Sequence, residues 1–199
     1  MANSNAPFGF RQTAGLGAAP TYEQSEYSIT STAGAIFFGD PVQALADGSV
    51  SQAPSSTGAP PAGGIAGIFV GCKYLSIAQK RTVWGNYWPG SDGVAGTVFG
   101  YICQDPDARF VVQTDGTGAA LADVNGTFGF VIGSGNTANG ISGAYLDMST
   151  GSATANQPFK VMSIVNFPPG AQGTLSNGQP YDWVVVMFNN MFTRSNFGI

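Results

Sequence analysis

Histidine is absent from this sequence of 199 residues, and cysteine occurs only twice. Without histidine, the common zinc sets and the Ser-His and Cys-His nucleophile pairs cannot be built. No Cys-x-x-Cys spacing exists either. Cys72 and Cys103 each end an apolar run, IFVGC and VFGYIC. In such a run a free thiol packs as a small buried hydrophobe; a disulfide between neighbouring strands is the alternative.

Charge is scarce as well. Asp, Glu, Lys and Arg make up 9% of the chain, against about 25% in ordinary globular domains. Eleven acids outweigh seven bases for a net charge of −4, and glutamate stands only at Glu23 and Glu26. An acidic balance without a basic run, a phosphate loop ending in Lys-Ser/Thr or an aromatic ribonucleoprotein pattern predicts no nucleic-acid partner. No segment approaches the roughly 20 apolar residues of a membrane helix, so no membrane partner is expected. The opening MANSNAPFGFRQTAG has neither a positive n-region nor an apolar h-region. A secretory signal is therefore not expected, and folding in a cytoplasm is.

Few arrangements remain that would support chemistry. Glycoside hydrolysis needs two carboxyls set across a sugar groove, and no clear pair presents itself. Asp105 and Asp107 flank Pro106, a turn in which aspartate is expected for backbone reasons alone. Asp123 to Gly126 has part of a calcium loop but lacks the further acids and the closing glutamate of an EF-hand, so a hairpin turn accounts for it better. No enzyme, no metal site and no cofactor are expected.

What the chain does have is glycine, 29 of 199 residues, with much Ser, Thr, Asn and Ala. Its surface must therefore be neutral and polar. About ten short apolar segments alternate with turn signals such as Gly39-Asp40-Pro41, Asp47-Gly48, Asp105-Pro106-Asp107 and Asn125-Gly126, and none sustains a helical period. This pattern predicts an all-β fold, a barrel or jelly-roll-like sandwich. Residues 27–199 read as one such domain. Residues 1–26, with two prolines, scattered aromatics and no period, read as an extended N-terminal arm. Arg109 to Gln113 is expected to form a half-exposed hairpin with Val98 to Cys103, and Trp183 to Phe188, apolar on both faces, a central strand. Gln52 to Gly64 reads as an exposed Pro/Gly/Ser loop.

The organising stretch is Gly64 to Trp88. Strict alternation puts Ala66, Ile68, Val70 and Cys72 on one face and Ile65, Gly67, Phe69 and Gly71 on the other, a core strand. A single helical turn is conceivable at Leu75 to Gln79. Lys73, Lys80 and Arg81, three of the seven cations, stand close to Trp84, Tyr87 and Trp88. Mixed aromatic and cationic residues suit an interface anchor; ordinary barrel aromatics on a sheet edge are the plainer reading. With Phe8, Phe10 and Tyr22 of the arm, these residues form the candidate interface.

Four segments carry a family resemblance: MANSNAPFGFRQ, the turn Gly39-Asp40-Pro41-Val42, GIAGIFVGCKYLSIAQKRTVWGNYWPG, and GISGAYLDMSTGSATANQPFKVMSIVN. Together they resemble capsid decoration, or cement, proteins of tailed bacteriophages. The resemblance implies a β-rich virion subunit made in the host bacterial cytoplasm and placed on the outer surface of the capsid. There it would bind between copies of the major capsid protein, as a dimer or trimer, and stabilise the expanded shell. The resemblance assigns no functional residues. The competing reading is a carbohydrate or host-receptor module that stacks sugars on Trp84, Tyr87 and Trp88. A tail or collar structural protein is a third.

Overall fold

The computed structural model describes residues 3–15, 17, 19–20, 23–30, 33–56, 64–152, 157–165 and 178–194. Twelve strands are found there: β1 (Arg11–Ala14), β2 (Gln24–Ser28), β3 (Pro41–Ala44), β4 (Val50–Gln52), β5 (Gly67–Leu75), β6 (Thr82–Gly85), β7 (Phe99–Cys103), β8 (Arg109–Gln113), β9 (Thr127–Val131), β10 (Tyr145–Ser152), β11 (Phe159–Ile164) and β12 (Trp183–Phe188). Two short 3-10 turns, Leu121–Asp123 and Phe192–Arg194, are the helical elements among the described residues. The fold is an all-β sandwich of two antiparallel sheets. The first sheet runs β1-β8-β12-β11-β9-β10 and the second β2-β7-β5-β3-β4, with β6 also paired to β5.

Each sheet also bends toward its own far edge. A parallel bridge from Thr114, just past β8, to Leu146 of β10 ties the first sheet, and one from Ile29, just past β2, to Val50 of β4 ties the second. Two apolar cores result. The first is dominated by aromatic and branched side chains of the first sheet, among them Phe110, Val112, Phe128, Phe130, Phe159, Val161, Val184 and Val186. The second gathers Ile29, Ile36, Val42, Val50, Phe69, Tyr74, Trp88 and Ile102. Burying each such side chain contributes about 2 kcal/mol.

Strand β12 shows how the sequence sets this pattern. Val184, Val186 and Phe188 alternate inward, and the strand pairs with β8 on one side and β11 on the other, as a central strand must. Strand β8 has the expected bounds but a different partner. It does not form a hairpin with β7, which lies in the other sheet; the Asp105-Pro106-Asp107 turn instead carries the chain from one sheet to the next. Asp105 Oδ1 accepts the Asp107 N–H at 2.9 Å there, an Asx turn that reverses direction without requiring strand pairing. The segment Ala35 to Phe38, with its two isolated bridges at Ile36 and Phe38, is not a regular strand.

Strand β5 is buried on both faces but departs from simple alternation. Ile65, Ile68 and Val70 face the first core, whereas Ala66, Phe69, Cys72 and Tyr74 face the second. The register to β7 slips between Phe69 and Gly71, so a bulge moves Cys72 to the side of Phe69. Gly67 sits where a Cβ would collide with the Cys103 carbonyl, which admits only glycine at this crossing. The two cysteines consequently lie in different cores, both as free thiols. Burial pushes the Cys72 thiol up to about 12 and the Cys103 thiol up to about 11.

The N-terminal stretch differs from an arm reaching away from the body. Its residues 11–14 pair with β8, residues 24–28 pair with β7, and Phe10 is 1% exposed. Phe10 stacks on Phe159 with ring centroids 4.3 Å apart and meets Phe130 edge-on. The physical reason is plain: a large aromatic gains more in the core than in water, and extended backbone at a sheet edge finds hydrogen-bond partners.

Between the sheets, Asp40 is the main polar junction. Its Oδ1 accepts the Ser142 hydroxyl at 2.5 Å, and its Oδ2 accepts the Gln52 side-chain amide at 2.7 Å and the Phe37 N–H at 2.8 Å. The predicted Gly39-Asp40-Pro41 turn thus does more than reverse the chain. It links β3 and β4 of the second sheet to the strand entry of β10 in the first.

Candidate interaction surface

Past its bulge, β5 leaves the interior on one side. Antiparallel pairing sets Lys73 opposite Trp84 of β6 and Phe99 of β7, Leu75 opposite Thr82, and Tyr101 of β7 opposite Glu26 of β2. Directly opposed residues share a face, as do residues two apart along a strand. Thr82, Trp84, Leu75, Lys73, Phe99, Tyr101 and Glu26 therefore make one continuous outer surface.

Lys73 is its centre. Its Nζ lies 2.6 Å from Glu26 Oε2, 5.0 Å from the Phe99 ring centroid, 5.7 Å from that of Trp84 and 5.8 Å from that of Tyr101. The carboxylate and the three ring faces all favour the ammonium. The Lys73 bond holds the Glu26 carboxyl below its ordinary value, and the same bond raises the Lys73 ammonium. Trp84 and Tyr101 are near-parallel, 4° apart in plane with centroids at 5.9 Å. Trp84 nonetheless stays 68% exposed.

The turn joining β5 to β6 is stapled from below. Asp92 accepts the Ser76 hydroxyl at 2.5 Å and the Ala78 N–H at 3.0 Å, which holds its carboxyl below the ordinary value. Lys80 N–H closes a single non-helical turn on Ser76 O at 3.0 Å. Lys80 and Arg81 are exposed, and Arg81 Nε donates to Gln79 Oε1 at 2.9 Å.

The candidate interface residues fall into separate places. Lys73, Lys80, Arg81 and Trp84 belong to this surface. Trp88 is 0% exposed, inside the second core, edge-on to Tyr74. Tyr87 stacks on Phe37 with centroids at 5.3 Å, away from Trp84. The sugar platform of Trp84, Tyr87 and Trp88 in the competing reading is therefore not assembled: β6 ends at Gly85 and the chain turns inward to pair Trp88 with Ile36. Phe8 lies edge-on to Trp183 at 5.0 Å under the Arg11 guanidinium, and Phe10 is in the first core, so neither is a free hook. Tyr22 lies outside the described residues. Phe99, Tyr101 and Glu26 were missed from sequence; the recoverable signal was the alternation of Phe99 and Tyr101, whose outward side is fixed only by pairing with β5.

Asp123 Oδ2 reaches back to accept the Ala120 N–H at 2.8 Å, capping the 3-10 turn Leu121–Asp123, and Gly126 N–H donates to Asp123 O at 2.9 Å, so the expected hairpin turn is instead the exit of this 3-10 turn into β9. Among the described residues no three His, Cys, Asp or Glu side chains converge. Compared with known proteins, the chain matches no family model, no curated protein and no solved structure.

Proposed function

We propose that this chain is a capsid decoration subunit of a tailed bacteriophage, seated on the outside of the head between major capsid proteins and stabilising the expanded shell. The resemblance of its four segments, distributed between residues 1 and 166, carries the reading. The all-β body with a neutral polar surface and an exposed aromatic, cationic face around Lys73 supports it. A cement protein performs no chemistry; it needs a stiff body, a contact face and repetition, because many weak contacts on one lattice add up. In this reading the subunit is not an enzyme, takes no cofactor and self-associates as a dimer or trimer.

The direct test adds purified protein to expanded heads assembled without it and follows binding and heat-induced loss of packaged DNA. Saturable binding in many copies per head with a raised release temperature is expected. Heads that neither bind it nor gain heat resistance would refute the reading. A second reading, recognition of host glycans, is favoured by the exposed Trp84 indole alone; saturable binding on a glycan array, lost in Trp84→Ala, would establish it instead.

A further inference from the structure

We propose that the contact surface of this subunit is the β5–β6 turn with the Trp84–Lys73–Tyr101 face, and that it takes an acidic protein surface with an apolar centre. This rests on the shell-binding reading and specifies the chemistry of the shell site. Leu75, Ile77, Trp84 and Val94 are exposed large hydrophobics gathered at this end of β5; among the described residues, Leu121 alone of that class lies elsewhere. The backbone joins them: Val94 N–H donates to Leu75 O at 3.0 Å, and Ile77 N–H to Asp92 O at 2.8 Å. A concentrated apolar patch of this kind marks an interface.

Charge narrows the occupant. Lys73, Lys80 and Arg81 face two acids here, Glu26 and Asp92, and both acids are engaged, Glu26 by Lys73 and Asp92 by Ser76 and Ala78. Lys80 and Arg81 remain exposed and bonded to no carboxylate in the described residues. Elsewhere the chain holds four bases and nine acids. At this end three bases thus meet two acids that are already engaged, a local cationic balance in a chain that is otherwise net acidic.

Lys80 adds a conformational argument. It adopts φ 55, a left-handed backbone shared among the described residues by Asn125, Tyr181 and glycines such as Gly39, Gly48 and Gly90. A side chain in that region carries a strain that glycine avoids. Lys80 stands in a turn braced by Ser76 and Asp92, and a turn so braced loses little entropy on binding.

A nucleic acid would reward the cations but not Leu75, Ile77 and Val94. A second copy of this chain fits poorly too, since outside this face only Glu23 and Asp47 are exposed acids among the described residues. An acidic shell surface satisfies both halves of the patch.

The test measures binding to heads assembled without this chain, at low and high salt, for the wild type, Trp84→Ala, the double variant Lys80→Glu/Arg81→Glu, and Leu121→Ala as a distant control. Far-UV dichroism confirms folding, which these exposed positions should not disturb. Trp84→Ala should weaken binding at least about tenfold, as a central aromatic anchor does. The charge reversal should weaken it by a similar factor and remove most of the salt dependence, while Leu121→Ala binds as the wild type. Wild-type binding with both face variants unimpaired would overturn the proposal and leave the shell-binding reading intact. Failure of the wild type to bind would remove both. Sedimentation of the free protein gives the remaining outcome: if the face variants change its oligomeric state, the occupant is a second copy and the proposal is wrong.

Discussion

Asp40 sits 1% exposed and accepts three hydrogen bonds from three parts of the chain. Asp40→Ala leaves three donors short of a partner and should cost about 3 kcal/mol in chemical denaturation. Burial raises the Asp40 carboxyl above its ordinary value against the pull of Ser142, Phe37 and Gln52. An acid raised in the folded state holds its proton more tightly folded than unfolded. Its contribution to stability is therefore greatest in acid and is lost as pH rises through the folded-state value. Wild type should accordingly lose ground to Asp40→Asn between acid and neutral pH; a gap that stays constant or moves the other way would contradict this. Two tryptophans four residues apart supply a second contrast. Trp88→Ala empties a packed site and should cost about 3–5 kcal/mol, whereas Trp84→Ala, at an exposed site, should change stability by less than about 0.5 kcal/mol. The thiols form a third. Raised and buried, Cys72 and Cys103 should resist alkylation in the native protein and react fully once it is unfolded; rapid native labelling of either would show that its core opens.

At the scale of elements, the bulge in β5 turns one strand from a two-sided core member into the spine of the exposed face. Without it, Lys73 and Leu75 would exchange sides with Cys72 and Tyr74. The N-terminal strand is equally committed. Because Phe10 lies in the first core and β1 pairs with β8, removing residues 1–14 should lower the unfolding midpoint of the whole protein. Phe10→Ala alone should cost about 3–5 kcal/mol. A truncated protein with an unchanged midpoint would show that the segment is only draped on the surface. Elements were legible where local pattern decides them: β8 follows from alternation, β12 from a run apolar on both faces, and the Asp47-Gly48, Asp105-Pro106-Asp107 and Asn125-Gly126 turns from residue type. Partnerships were not. The assignment of β7 and β8 to different sheets, the inward turn of Trp88 and the burial of Phe10 are decided by contacts far apart in sequence. The bulge at Val70 has no local mark beyond nearby glycines. Lys73, Lys80, Arg81 and Trp84 were legible as a cluster, but Phe99, Tyr101 and Glu26 join it only through strand order.

At the scale of the molecule, the scarcity of charge and the layout of the cores belong together. With 9% charged residues, solubility rests on neutral polar side chains, and long-range repulsion between copies is small enough to allow dense packing on a lattice. Two aromatic-rich cores joined through Asp40 and β5 give a stiff body, and the cationic, apolar end of β5 gives it one distinctive face. Such a protein is suited to being repeated across a surface. The measurement that bears most directly on this account is the molar ratio of this chain to the most abundant shell protein in purified particles of the phage that encodes it, by quantitative mass spectrometry. A ratio that is a sizeable fraction of one is the predicted result. A ratio of a few per cent would move the subunit to the tail or a fibre, and absence from the particles would contradict the account outright.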